Sequence, residues 1–107
     1  MATLVERLEL DYKTALKARD RLRVETIRLV KAAMERLAIE KRKPLLDDQE
    51  IQQVVSQQVK QRRETIEAVK SSGRQDILDQ AKRELDILTA YLPPQLSPEA
   101  ITQLVEE

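Results

Sequence analysis

The chain has 107 residues, of which 36% are charged, and its 19 basic and 19 acidic side chains give a formal net charge of zero. It contains one Gly and no Cys, His, Trp or Phe, which excludes disulfides, ordinary structural zinc sites, histidine general bases and glycine-rich phosphate-binding loops. The remaining composition, rich in Leu, Ile, Val, Ala and charged residues, predicts one all-α domain.

Helix-capping residues and helix breakers divide the chain into five predicted helices, over residues 3–18, 21–42, 48–71, 74–92 and 98–107. Each of the first three helices follows a side chain that can accept a hydrogen bond from a backbone N–H: Thr3, Asp20 and Asp47. Thr3 and Asp47 are each followed three residues later by Glu, which is the capping-box pattern. The ends of the second, third and fourth helices are marked by Pro44, Gly73 and Pro93. The pattern predicts a compact bundle of four to five helices.

The second predicted helix differs from the others because apolar side chains occupy more than half of its circumference. A helix of this kind usually lies at the centre of a bundle, covered by its neighbours. Charge is also unevenly distributed along the chain. Residues 1–43 carry 12 basic and 7 acidic side chains (+5), whereas residues 44–107 carry 7 basic and 12 acidic (−5). This asymmetry is compatible with a polyanion-binding face or with head-to-tail self-association.

Two charged residues interrupt the apolar faces of the third and fourth helices. Arg62 projects with Gln58 from the apolar arc of the third helix, and Glu84 projects from that of the fourth. A charge on an apolar face costs free energy unless it is paired. We therefore predict a structural ion pair between Arg62 and Glu84, with Gln58 nearby. The alternative is that both long side chains extend to solvent at the edge of the seam.

Few residues of this chain are candidates for catalysis. Asp47 and Asp48 resemble a carboxylate pair for a metal, but the capping box accounts for them without one. Ser71 and Ser72 beside Lys70 resemble a Ser/Lys nucleophile system. A polar helix exit is the commoner role of such residues, and no glycine turn is available to form an oxyanion hole. We therefore predict no catalytic residue, no metal site and no cofactor.

Basic side chains offer a more specific candidate function. The predicted nucleic-acid-binding residues are Arg21, Arg28, Lys41, Arg42, Lys43, Lys60 and Arg63. Phosphate contacts need only such charges, whereas base stacking needs exposed aromatic rings. The two aromatic residues, Tyr12 and Tyr91, lie on apolar stripes, so the expected ligand is a folded RNA recognised through phosphate and shape. The alternative is a solvated charged surface.

No part of the sequence has the pattern of an export signal or a membrane span. The N-terminal residues enter an amphipathic pattern directly, with charges too frequent for the core of a signal peptide. No window approaches the roughly 18 consecutive apolar residues of a membrane-spanning helix. We expect a cytoplasmic protein that does not contact a membrane.

Several strings of residues resemble the YqeY family of bacterial and organellar proteins. They are KQRRETI at 60–66, GRQDIL at 73–78, ELDIL at 84–88 and YLPPQLS at 91–97, with RLVKAAM at 28–34 in the second helix. The resemblance covers nearly the whole chain and places Arg28, Lys60, Arg62 and Glu84 at matching motif positions. The helical pattern indicates a structural role for Arg62 and Glu84. It places Arg28 and Lys60 on polar faces, where they are free to contact a partner.

The resemblance implies an all-helical fold related to the tail of the B subunit of the aspartyl/glutamyl-tRNA amidotransferase. That tail holds tRNA while other subunits carry out glutamine-dependent amidation. The resemblance also implies a smaller C-terminal subdomain with glycine-containing motifs, which we expect to lie outside residues 1–107. We therefore expect residues 1–107 to be the N-terminal helical part of a YqeY-like protein.

Three functional hypotheses result from the residues and the resemblance together. The leading one is a non-catalytic, tRNA-associated helical module. The alternative is a protein–protein adaptor without nucleic-acid binding, whose partner is an aminoacylation or amidation protein. The third is an accessory role in glutamine-dependent amidotransferase (carbon–nitrogen ligase) activity. That role would need partner subunits, because these residues cannot assemble a glutaminase nucleophile or an ATP site.

Overall fold

The computed structural model describes residues 3–93, which form four α-helices and no strand. The helices are α1 (Leu4–Ala18), α2 (Arg21–Lys41), α3 (Asp48–Val69) and α4 (Gln75–Thr89). The predicted all-α bundle is confirmed. The predicted fifth helix, over residues 98–107, lies outside the described residues.

The helix starts follow the capping residues that the sequence indicates. The Thr3 hydroxyl accepts from the N–H of Glu6 at 3.2 Å, and Asp47 accepts from the N–H of Glu50 at 2.8 Å. Each Glu carboxylate accepts in turn from the backbone N–H of its capping residue, so both capping boxes are complete. Asp20 accepts from the N–H of Arg23 at 3.2 Å. These bonds satisfy donors that the first turn of a helix leaves without an internal partner.

The helix ends are less regular than the starts. Arg19 and Arg42 take left-handed backbone conformations, with φ of 58° and 54°, and each N–H donates to carbonyls of the preceding turn. Gly73, with φ of 79°, is the left-handed residue that the sequence indicates after α3. The fourth helix ends at Thr89 and not at residue 92 as predicted. The N–H groups of Tyr91 and Leu92 form tighter turns instead, to the carbonyls of Leu88 and Thr89.

The second helix contacts all three of the other helices, but they cover only part of its apolar surface. Its fully buried residues all lie in the first half: Val24, Thr26, Ile27 and Val30. Leu29 and Ile39 are 51% and 76% exposed. The prediction that neighbouring helices cover α2 is therefore wrong at Leu29 and Ile39. An apolar arc shows which residues can be buried, but it does not fix how many helices pack against them.

Tyr91 fixes the end of α4 against α1. Its ring is 1% exposed, its hydroxyl donates to the carboxylate of Asp11, and the Arg7 guanidinium lies 5.2 Å from the ring centroid. Arg7 also donates to the carbonyl of Ala90 at 3.0 Å. Burial, together with the hydrogen bond to Asp11, raises the pKa of the Tyr91 hydroxyl. Tyr91 is therefore a core residue and presents no ring for base stacking.

Candidate nucleic-acid interface

The predicted ion pair between Arg62 and Glu84 is present between α3 and α4. The Arg62 Nε lies 2.6 Å from Glu84 Oε1, and the two side chains are 14% and 16% exposed. Gln80 donates to the other carboxylate oxygen at 3.1 Å. Gln58 turns to α2, where it donates to the carbonyl of Leu29 at 3.1 Å. Arg62 is therefore held inward, although it stands next to Arg63 in a basic stretch of the sequence.

Lys41 and Lys43 form a second ion-pair cluster around Glu50. Their Nζ atoms lie 2.7 and 2.6 Å from the two Glu50 carboxylate oxygens, and only 9% of the Glu50 side chain is exposed. Hydrogen bonds from Lys41 and Lys43, and from the Asp47 N–H, lower the pKa of Glu50 to about 2. The bond to Glu50 also raises the pKa of Lys43. These two lysines therefore join the end of α2 to the start of α3.

The neighbouring carboxylates, Asp47 and Asp48, both accept from backbone N–H groups. Asp47 caps α3, and Asp48 Oδ1 accepts from the N–H of Leu4 at 3.1 Å. Asp48 thereby attaches the first turn of α1 to α3. Both residues therefore have a structural role, and the predicted capping role of Asp47 is confirmed.

Arg28 lies at the seam between α1 and α2. It donates to the Tyr12 hydroxyl at 3.2 Å, and this hydrogen bond raises the Arg28 pKa. Lys31, which pairs with Glu9 at 2.7 Å, lies 4.4 Å from the centroid of the same tyrosine ring. Arg28 is exposed, but Tyr12 orients it toward the α1 side of the seam. Tyr12 is covered by these cations and is not an open stacking platform.

The remaining predicted cations are exposed. Arg21, Arg42, Lys60 and Arg63 are all exposed, and their side chains form no ion pair among residues 3–93. Lys60 and Arg63 are three residues apart on α3, so they share one side of that helix. The structure thus divides the seven predicted residues into two held by Glu50, one at the α1–α2 seam, and four without a carboxylate partner.

Lys60 also borders a shallow hollow on the outer side of α3, which the sequence interpretation missed. The other residues that line it are Gln49, Gln52, Gln53, Ser56 and Gln57. The available signal was the recurrence of polar, uncharged residues at spacings of three and four along one helix. Charges and aromatic rings are the usual signals of nucleic-acid contact, and neutral amides carry neither signal.

Comparison with family models matches residues 5–107 to the family described as Yqey-like protein. The chain belongs to this family. Among curated relatives, it is 32% identical over 85 residues to altered inheritance of mitochondria protein 41, mitochondrial, of Eremothecium gossypii, which covers 79% of the chain and 46% of the relative. The protein of the same name from Lachancea thermotolerans is 30% identical over 88 residues, or 82% of the chain and 47% of the relative. The chain spans about half the length of the curated relatives it matches.

None of α1 to α4 combines the length and the apolar composition needed to cross a bilayer.

Proposed function

We propose that the chain is a non-catalytic, tRNA-associated module that contacts RNA phosphates through the outer side of α3. One observation carries the proposal: Lys60 and Arg63 are exposed on the same side of that helix and form no ion pair within the part of the chain that the structure covers. Membership of the YqeY-like family supports it, since the resemblance to the amidotransferase tail implies tRNA contact. The module acts in the cytoplasm, as the sequence predicts.

The charge pattern sets the expected strength of this interaction. Four predicted cations have no carboxylate partner among residues 3–93: Arg21, Arg42, Lys60 and Arg63. Each phosphate neutralised by such a cation contributes about 0.7–0.9 to the slope of log K against log salt concentration. Two contacts, from Lys60 and Arg63 on α3, would give a slope of about −1.4 to −1.8, so binding should be weak at physiological salt and stronger at low salt.

An adaptor role is the second candidate, and a specific feature supports it. An apolar groove between α1 and α2 continues onto the loop before α3, where Leu45 is 64% exposed. Its apolar lining residues are Val5, Leu8, Met34, Ala38, Pro44, Leu45 and Leu46. Contiguous exposed apolar patches can mark protein interaction sites. The partner would be an aminoacylation or amidation protein.

A tRNA-binding experiment separates the two functions. We expect the full chain to retard unmodified tRNA at low salt, and Lys60→Glu with Arg63→Glu to weaken the affinity at least tenfold, because two attractive contacts become repulsive. The matched control is Lys82→Glu with Arg83→Glu, an equal change of net charge at exposed residues of α4. An adaptor would show no tRNA shift. Equal losses in the two double variants would contradict a specific role for α3.

A further inference from the structure

The outer side of α3 carries an unusual uncharged row in a chain of which 36% is charged. Gln49, Gln53, Ser56 and Gln57 are all exposed, and their spacing of three and four residues places them on one side of the helix. We call these four residues the glutamine face. They border the same hollow as Lys60. Their amides and hydroxyl both donate and accept hydrogen bonds, so the face can pair with a partner surface that does the same.

Cations stand at the C-terminal end of the glutamine face. Lys60 and Arg63 follow it along α3, whereas the exposed carboxylates of Asp47 and Asp48 precede it. At a rise of 1.5 Å per residue, the helix runs about 16 Å from Gln49 to Lys60. A neutral polar surface is therefore followed by positive charge within about three helical turns.

We propose that the glutamine face lies in the minor groove of an A-form RNA helix, with its amides and hydroxyl on ribose 2′-hydroxyls and Lys60 and Arg63 on the phosphates at the groove edge. This inference rests on the proposed function and names its ligand: a double-helical RNA stem, in contrast to a single strand or a DNA duplex. The contact is made by side chains of one helix, because the minor groove of RNA is wide and shallow.

The chemistry of the two surfaces is complementary. The floor of the RNA minor groove displays hydroxyl groups and base edges, which both donate and accept hydrogen bonds, and a glutamine amide does the same. The phosphates lie along the rims, so positive charge is needed at the edge of the contact and not in its middle. Neither tyrosine is available for base stacking on a single strand, because Tyr91 is buried and Tyr12 lies beneath Lys31.

Acidic residues limit the contact on its C-terminal side. Glu64 and Glu67 are exposed and follow Lys60 at intervals of four and seven residues, on the same side of α3. Their carboxylates would repel phosphate, so the RNA must leave the helix near Arg63. The footprint therefore extends from Gln49 to Arg63 and does not cover the last turns of α3.

The test compares an RNA hairpin stem with a DNA hairpin of the same sequence, using the full chain. We expect the RNA stem to bind about tenfold tighter, and the triple variant Gln53→Ala, Ser56→Ala, Gln57→Ala to lose that preference, because about three modest hydrogen bonds are removed without a change of charge. The salt slope should stay constant. Gln75→Ala, at an exposed glutamine on α4, is the control and should bind as the unmodified chain does. Circular dichroism establishes that each variant is folded.

The outcomes separate this inference from the proposed function. Equal affinities for the RNA and DNA stems, or an unchanged RNA preference in the triple variant, would overturn the minor-groove contact while leaving phosphate binding intact. Absence of binding to tRNA and to both stems would overturn the two together. An RNA stem in which 2′-deoxyribose replaces ribose should bind with the lower affinity of the DNA stem if the side chains contact the 2′-hydroxyls as proposed.

Discussion

The two basic stretches of this protein look alike as sequence and differ in what the folded chain does with them. In the stretch at residues 41–43, two lysines surround the carboxylate of Glu50 and connect α2 to α3. In the stretch at residues 60–63, only Arg62 turns inward, to Glu84, while Lys60 and Arg63 stay exposed. A run of basic residues therefore contains both side chains that stabilise the fold and side chains that are free to bind a partner. A basic side chain is structural where the fold places a carboxylate next to it.

The inward-facing arginine gives the largest expected effect on stability. Arg62→Ala leaves Glu84 without its ion-pair partner, 16% exposed between two helices. The free energy of unfolding should fall by about 2–3 kcal/mol, less than the 3–5 kcal/mol of a fully buried pair. Urea denaturation measures this change. The neighbouring substitution Arg63→Ala is the control and should change stability by no more than about 0.5 kcal/mol. Equal effects of the two changes would contradict the division of this stretch into inward and outward residues.

A smaller and pH-dependent effect is expected at the Glu50 cluster. The folded state holds the pKa of Glu50 at about 2, below its ordinary value of 4.5. The stabilisation is therefore present in full above pH 4.5 and is lost as the pH falls toward 2, where the folded protein must also take up the proton. Glu50→Gln should lower the free energy of unfolding at pH 6 and should remove this part of the acid dependence.

The measurement is urea denaturation of both proteins at a series of pH values from 6 to 2. The difference in unfolding free energy between the natural chain and Glu50→Gln should narrow as the pH is lowered. A difference that stays constant across that range would mean that Glu50 is not held in its charged form by Lys41 and Lys43.

The parts of this structure that local sequence determines were predictable. Thr3, Asp20 and Asp47 act at the first turn of their own helices, so a few neighbouring residues suffice to identify them. The Arg62–Glu84 pair was also predictable, because a charge on an apolar face needs a partner and the adjacent helix supplied one of opposite sign. Each of these features is visible in a helical pattern without knowledge of the path between helices.

Features that depend on the path of the chain were not predictable. Glu50 occupies a capping-box position, which accounts for the hydrogen bond that its carboxylate accepts from the Asp47 N–H. The hydrogen bonds that Lys41 and Lys43 donate to Glu50 form because the loop between α2 and α3 places the end of α2 beside the start of α3. The exposure of Ile39 likewise depends on where α1 and α3 pack, which the apolar arc of α2 does not specify. Non-glycine residues at left-handed positions, as at Arg42, also lack the usual glycine signal.

The difference between the two basic stretches is tested most directly by the salt dependence of tRNA binding in two parallel variants. One carries Lys60→Gln and Arg63→Gln, and the other carries Lys41→Gln and Lys43→Gln, measured at a temperature at which both are folded. The first should reduce the slope of log K against log salt concentration by about 1.4–1.8, which corresponds to two lost phosphate contacts, without loss of stability. The second should destabilise the protein and leave the slope unchanged. Equal reductions in both variants, or a change only in the second, would contradict this account.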